Sequence, residues 1–97
     1  MAEASFVEVN GVQLHYLDYG GEGDVLLFVP GSVTAQSLNA VAPHYTDRYR
    51  VLAVTRRWHG ASEKTDLTFD LDTLAADLAA FLDHFTDRPA IVAGVGG

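Results

Sequence analysis

The chain has 97 residues, of which 48% are hydrophobic, so it can bury the core of one small domain spanning residues 1–97. Thirteen acidic residues against six basic ones give a net charge of −7, which argues against nucleic-acid binding, because phosphate contacts need a surplus of Lys and Arg. Without cysteine, a secretory signal at "MAEASF" or a long apolar run, we expect a cytoplasmic protein with no disulfide and no membrane partner.

The first elements along the chain predict a β-hairpin. "SFVEV" and "VQLHYLDY" alternate apolar and polar residues with the period of half-buried strands. Asn10 and Gly11 stand between them, and both tolerate the positive φ that a tight hairpin turn requires. The glycines of "GGEGD" then end the second strand.

Three mainly apolar runs follow, from Val25 to Val29, from Arg50 to Val54 and from Ala90 to Ala93. Such runs are typical of strands that are covered on both faces, as in a parallel sheet. The residues between the second and third runs begin with "TRRWHGASEKTD", which is a loop by composition.

Two helices are predicted between these strands. The first runs from about Ala35 to Tyr45, although Pro43 would kink or interrupt it. The second runs from Asp70 to Phe85, where apolar residues recur at steps of three and four and Asp70 can cap the start. Apolar strands that alternate with helices predict an α/β fold with parallel strands joined by crossovers.

Three local patterns, in this order and spacing, resemble the N-terminal portion of the α/β-hydrolase fold family. They are "LLFVPGS", "RVLAVTRRWHGAS", and the helix "LDTLAADLAAFLDHF" followed by "RPAIVAG". In the first, Pro30 stands where the family usually has His, and Gly31 matches its Gly. The second is similar to a strand that runs into Asp-x-Arg-Gly-x-Gly-x-Ser, with three matches and two departures: Arg57, Gly60 and Ser62 match, whereas Thr55 and Trp58 replace Asp and Gly.

The third pattern leads to the position of the family's nucleophile. The resemblance implies that the last strand runs into Gly-x-Ser-x-Gly, a strained turn that presents the serine hydroxyl. Aligned on Gly94, this chain reads Gly94, Val95, Gly96, Gly97, so Gly96 falls where the serine should be. The family's acid and His follow the serine in chain order. We therefore expect an N-terminal fragment or shortened variant of a serine hydrolase of esters or related small molecules, inactive alone.

Part of an oxyanion hole is predicted to remain. The resemblance implies that the loop after the third strand supplies a backbone N–H, here that of Ser32, although "PGS" is also an ordinary turn. His59 falls in a loop at the carboxyl edge of the sheet, and a Ser32–His59 pair across a dimer is an alternative, standalone catalytic site. A packing role for His59 is the simpler interpretation.

The remaining hydroxyl and imidazole groups predict no further site. Ser37 and Ser62 are other hydroxyl candidates, and His44 is another base, whereas His15 in a strand and His84 near a helix end are interpreted structurally. The chain has no Cys, no His-x-x-x-His and no phosphate-binding glycine loop, so no cofactor or metal is predicted.

A second function class remains open, in which the chain is a binding or assembly module. The resemblance implies a sixth strand beside the fifth, so a chain that stops at Gly97 leaves the strand from Ala90 to Ala93 as an apolar edge. Such an edge is a template for another chain. We expect self-association there, or capture of a complementary C-terminal fragment.

Overall fold

A computed structural model describes residues 3–30, 35–56 and 71–95 of the chain. Within them lie five strands, one α-helix and two short 3-10 helices. The strands are β1 Glu3–Val9, β2 Val12–Gly20, β3 Val25–Pro30, β4 Arg50–Val54 and β5 Ile91–Val95, and the helix α1 is Leu71–Phe85. The 3-10 helices are Ala35–Leu38 and Ala42–Tyr45. The α/β fold class predicted from the sequence is confirmed.

The hairpin forms where the sequence predicts it. β1 and β2 pair in antiparallel fashion up to Val9 and Val12, which leaves Asn10 and Gly11 as the two turn residues. Their φ angles are 50° and 74°, the left-handed region that a two-residue hairpin turn needs. The local residues therefore fix the register of the first two strands.

The five strands form one sheet in the order β1-β2-β4-β3-β5. β2 pairs with β4 in antiparallel fashion, whereas β3 runs parallel to both β4 and β5. All six residues of β3 are buried, as its continuous apolar run predicts. β5 lies at the edge of the sheet and begins and ends later than the sequence indicated, since Ala90 precedes it while Gly94 and Val95 belong to it.

Helix α1 covers one face of the sheet. Phe81 is fully buried and lies edge-to-face against Tyr16 of β2, with ring centroids 5.5 Å apart. The core on this face is built from alternate strand residues and this ring, namely Val7, Val9, Val12, Leu14, Val25, Leu27, Val29, Leu52, Val54 and Phe81. The helix begins one residue later than predicted, and Asp70, the predicted cap, lies outside the described residues.

The opposite face is covered by the two 3-10 helices instead of one α-helix. The prediction of a single helix from Ala35 to Tyr45 is wrong, although Pro43 does mark the interruption. Proline has no N–H to donate and its ring would clash with the carbonyl of Asn39, four residues earlier, so an α-helix cannot run through it. The apolar residues buried on this face are Leu17, Leu26, Phe28, Ala35, Leu38, Ala42, Val51 and Ala53.

Candidate active site at the carboxyl edge of the sheet

The parallel strands end together at one edge of the sheet. Pro30, the last residue of β3, pairs with Val95, the last residue of β5. On the other side of β3, Phe28 pairs with Ala53, so the same register brings Pro30 level with Thr55, which directly follows β4. Ligands of open α/β sheets bind outside this carboxyl edge. Gly96 of the predicted turn is thus the next residue in the chain after Val95, which is level with Pro30 and Thr55.

Thr55 connects three segments of the chain through hydrogen bonds. Its backbone N–H donates to the carbonyl of His15 at 2.9 Å, which continues the pairing of β4 with β2. Its side-chain Oγ1 accepts the backbone N–H of Ala35 at 2.9 Å and lies 3.0 Å from Nδ1 of His15. The segment after β3, the end of β4 and β2 therefore meet at one buried hydroxyl.

His15 supplies the side chain on the other side of that hydroxyl. It is 1% exposed, and its ring lies 5.5 Å from the Phe6 ring of β1, tilted by 60°. Burial lowers the pKa of His15, because the imidazolium form would lose its hydration. His15 is therefore neutral at neutral pH, and its tautomer sets which atom donates in the contact with Thr55.

Of the residues that the sequence offered as catalytic candidates, the structure describes only the first two of the predicted nucleophile turn. Gly94 and Val95 are still in strand β5, at the start of the predicted nucleophile turn. Gly96, Gly97, Ser32 and His59 lie outside the described residues, as do Arg57 and Ser62, so the turn, the Ser32 N–H and the Ser32–His59 pair stay predictions.

The other two histidines of the described residues belong to separate elements. His44 is in the second 3-10 helix and His84 is in the last turn of α1, and both residues are exposed. The His84 ring packs edge-on against Phe85 at 4.9 Å. Ser37 belongs to the first 3-10 helix. Among the histidines of the described part, only His15 faces the hydroxyl of Thr55.

The sequence analysis did not predict the hydrogen bonds that join Thr55 to His15 and Ala35. It treated Thr55 as a substitute for the family's Asp and His15 as a strand residue with a structural role. The available signal was a polar residue directly after a buried strand, where side chains lie at the carboxyl edge. Across the described residues, no group of three metal-ligating side chains comes together, and no helix is long and apolar enough to cross a membrane.

Comparison with known proteins identifies the family. The model of the α/β hydrolase family matches residues 26–96, which include β3 from its second residue, both 3-10 helices, β4, α1 and β5. The chain belongs to the α/β hydrolase family.

Individual hydrolases resemble this chain over most of its length. N-formylmaleamate deformylase of Pseudomonas putida is 40% identical over 79 residues, covering 77% of this chain and 29% of its own length. The α/β hydrolase superfamily protein YfhM of Bacillus subtilis is 31% identical over 97 residues, covering 95% of this chain and 34% of its own length. The crystal structure of N-formylmaleamic acid deformylase from Pseudomonas putida S16 is 31% identical with a TM-score of 0.86, covering 95% of this chain and 36% of that one. The chain thus spans about a third of the length of these hydrolases.

Proposed function

We propose that these residues form the N-terminal part, as a fragment or shortened variant, of a serine hydrolase acting on esters or related small molecules. We also propose that they catalyse no acyl transfer alone. Acyl transfer needs a nucleophile, a His base, an acid that orients it and an oxyanion hole. This chain contributes the sheet edge and, in our proposal, the Ser32 N–H of the oxyanion hole.

The observation that carries the proposal is that β3 and β5 end at the same level of the sheet, one residue before Gly96. Thr55, which directly follows β4, lies at that level too. Val95 pairs with Pro30, and Thr55 stands level with both, which supports the proposal that the residue after Val95 takes the place where the family presents its nucleophile. Glycine carries no hydroxyl. An acyl-enzyme therefore cannot form at position 96, although the strand that leads to this position is in place.

A chimera tests this proposal. The chain would replace the corresponding N-terminal third of N-formylmaleamate deformylase, and hydrolysis of N-formylmaleamate and of a chromogenic ester would be followed. We expect background turnover with Gly96, and a gain of about 10³-fold or more with Gly96→Ser, since loss of the nucleophile costs serine hydrolases about 10⁶ in kcat. The deformylase is chosen because it is 40% identical to this chain over 79 residues.

The matched control places the hydroxyl two residues earlier. A Cβ added at Gly94 meets nothing within 4 Å, so Gly94→Ser fits the fold while presenting its oxygen from the wrong position. We expect no gain from it. A folded Gly96→Ser chimera without turnover would contradict the proposal, as would equal turnover by the Gly96 chimera.

A second candidate function is assembly through the free edge of the sheet, by self-association or by binding a complementary C-terminal fragment. The observation that favours it is the exposure of adjacent apolar side chains on opposite faces of β5: Ile91 is 48% exposed and Val92 49%. Among the described residues β5 pairs on one side only, with β3, and such an edge with apolar side chains is a template for another strand.

Sedimentation of the 97-residue chain at micromolar concentration tests this candidate. We expect oligomers that Ile91→Lys disperses. Phe6→Lys is the matched control, because Phe6 is 50% exposed and lies on β1 at the other edge of the sheet. A clean monomer, or equal dispersal by both variants, would remove the case for β5.

A further inference from the structure

The hydrogen bonds around Thr55 contribute to more than packing, because every residue that takes part in them is buried. Thr55 and Ala35 are fully buried and His15 is 1% exposed. A buried N–H without an acceptor would cost a large part of the stabilisation that a hydrogen bond brings. The hydroxyl of Thr55 supplies that acceptor to Ala35 at 2.9 Å.

The position of Ala35 in its element makes this acceptor necessary. Ala35 is the first residue of the first 3-10 helix, so its N–H has no partner within that helix. The acceptor comes instead from a residue 20 positions later in the chain, at the end of β4. The start of the helix is therefore tied to the sheet by a side chain.

The connection between β3 and the first 3-10 helix is consequently held at both ends. Pro30 at its beginning is placed by the pairing of β3 with β5, and Ala35 at its end is placed by Thr55. Pro30 is level with the end of β5, and Ala35 is hydrogen-bonded to Thr55, which directly follows β4.

We propose that Thr55, together with His15, is a positioning residue of the hydrolase reaction. The hydroxyl of Thr55 holds the N–H of Ala35, and His15 Nδ1, 3.0 Å away, holds the hydroxyl in the required rotamer. The pair fixes the start of the first 3-10 helix, at Ala35, beside the end of β4 at the carboxyl edge, where the proposed hydrolase stabilises its transition state. This inference rests on the proposed function.

The first arm of the test uses the 97-residue chain itself and measures amide hydrogen exchange at Ala35 by NMR. Thr55→Val keeps the shape and removes the hydroxyl, and we expect it to speed exchange at Ala35 about tenfold more than at the amides of β4. Thr55→Ser returns the hydroxyl and should restore protection. Unchanged exchange at Ala35 in Thr55→Val would overturn the proposal.

The second arm uses the Gly96→Ser chimera and separates kcat from KM. We expect Thr55→Val to lower kcat by about 10- to 100-fold with KM within about twofold, and Thr55→Ser to recover most of kcat. Val54→Ala is the control, since it trims a buried side chain of the opposite face next in sequence to Thr55. Equal loss of kcat in Thr55→Val and Val54→Ala, or a change confined to KM, would overturn the positioning role.

The two arms distinguish failure of this inference from failure of the proposed function. A Gly96→Ser chimera that folds without turnover contradicts the proposed function, and the exchange arm then still decides whether Thr55 holds Ala35. A chimera that is active while Thr55→Val leaves kcat intact contradicts only the inference.

Discussion

On the α1 face of the sheet, a fully buried aromatic ring fills the core and a carboxylate is tied to the hairpin turn. On the opposite face, two 3-10 helices cover smaller residues, and a buried histidine and threonine hold a backbone N–H at the carboxyl edge. We call the main polar contact of each face its polar tie. On the α1 face it is a hydrogen bond between the hairpin turn and α1, which Asn10 Nδ2 donates to Asp77 Oδ1 at 2.9 Å. The polar tie of the opposite face joins His15, Thr55 and Ala35.

The difference separates stability from function. The first tie joins two side chains, so it fastens a helix to a turn without fixing any backbone group at the carboxyl edge. The second fixes the backbone N–H of Ala35, at the start of the first 3-10 helix, to the residue that follows β4 at the carboxyl edge. We infer that the α1 face mainly stabilises the fold, whereas the polar part of the other face serves the site.

The largest expected effect is on the α1 face. Phe81→Ala should lower the free energy of unfolding by about 3–5 kcal/mol, because it empties a buried site and removes the edge contact with Tyr16. Thermal unfolding followed by circular dichroism measures it. Phe6→Ala is the control, since Phe6 is half exposed, and we expect its effect to be much smaller. Equal losses of unfolding free energy in Phe81→Ala and Phe6→Ala would contradict the assignment of Phe81 to the core.

The next effect concerns two adjacent glycines that end β2. Gly21 has a φ of 95°, and a Cβ there would collide with the backbone carbonyl oxygens of Tyr49 and Thr46. Gly21→Ala should therefore cost about 2–5 kcal/mol, from strain plus overpacking. Gly20 has a φ of 85° but open space around its Cβ, so Gly20→Ala should cost only about 1–2 kcal/mol. Urea unfolding of both variants measures the difference, and equal costs would contradict the close approach.

A smaller effect tests the polar tie of the α1 face. Asn10→Gly keeps the positive φ of the turn and removes the amide that donates to Asp77, so it should cost about 1–3 kcal/mol. The same substitution in an Asp77→Ala background, which lacks the acceptor, forms a double-mutant cycle. A coupling energy of zero would show that the bond does not stabilise the helix on the turn.

The smallest effect is a pH dependence from the other face. Because burial lowers the folded-state pKa of His15 below 6.5, the unfolded chain binds the proton first as pH falls. The contribution of His15 is complete above about pH 6.5 and is lost as pH falls from there through the folded pKa. His15→Asn keeps a polar atom near the Nδ1 position without titrating, so the dependence in this window should vanish. Denaturant unfolding at a series of pH values measures it, and an unchanged slope in His15→Asn would contradict the assignment.

The elements that depend on local residues were predictable, whereas those that depend on distant partners were not. The hairpin follows from Asn10 and Gly11, and the buried strands follow from uninterrupted apolar runs. The prediction of one helix over residues 35–45 was wrong, because packing against the sheet and Pro43 favour two short 3-10 helices. Asp77 falls at an apolar position of α1, and only the fold brings Asn10 to it.

The same reason limits what the sequence says about the site. Gly96 at the serine position follows from a resemblance to known motifs, which are contiguous in the chain. The contact between His15 and Thr55 joins residues 40 positions apart and depends on the antiparallel register of β2 with β4. No local pattern carries that register, so His15 could be assigned only as a strand residue.

The most direct test of the central claim is active-site labelling of the chimera with a fluorophosphonate, followed by mass spectrometry of its peptides. The account predicts one adduct on the serine placed at position 96 in the Gly96→Ser chimera, and none in its Gly96 counterpart. An adduct on Ser32 or Ser62 in the Gly96 chimera, or no adduct in a folded Gly96→Ser chimera, would contradict it.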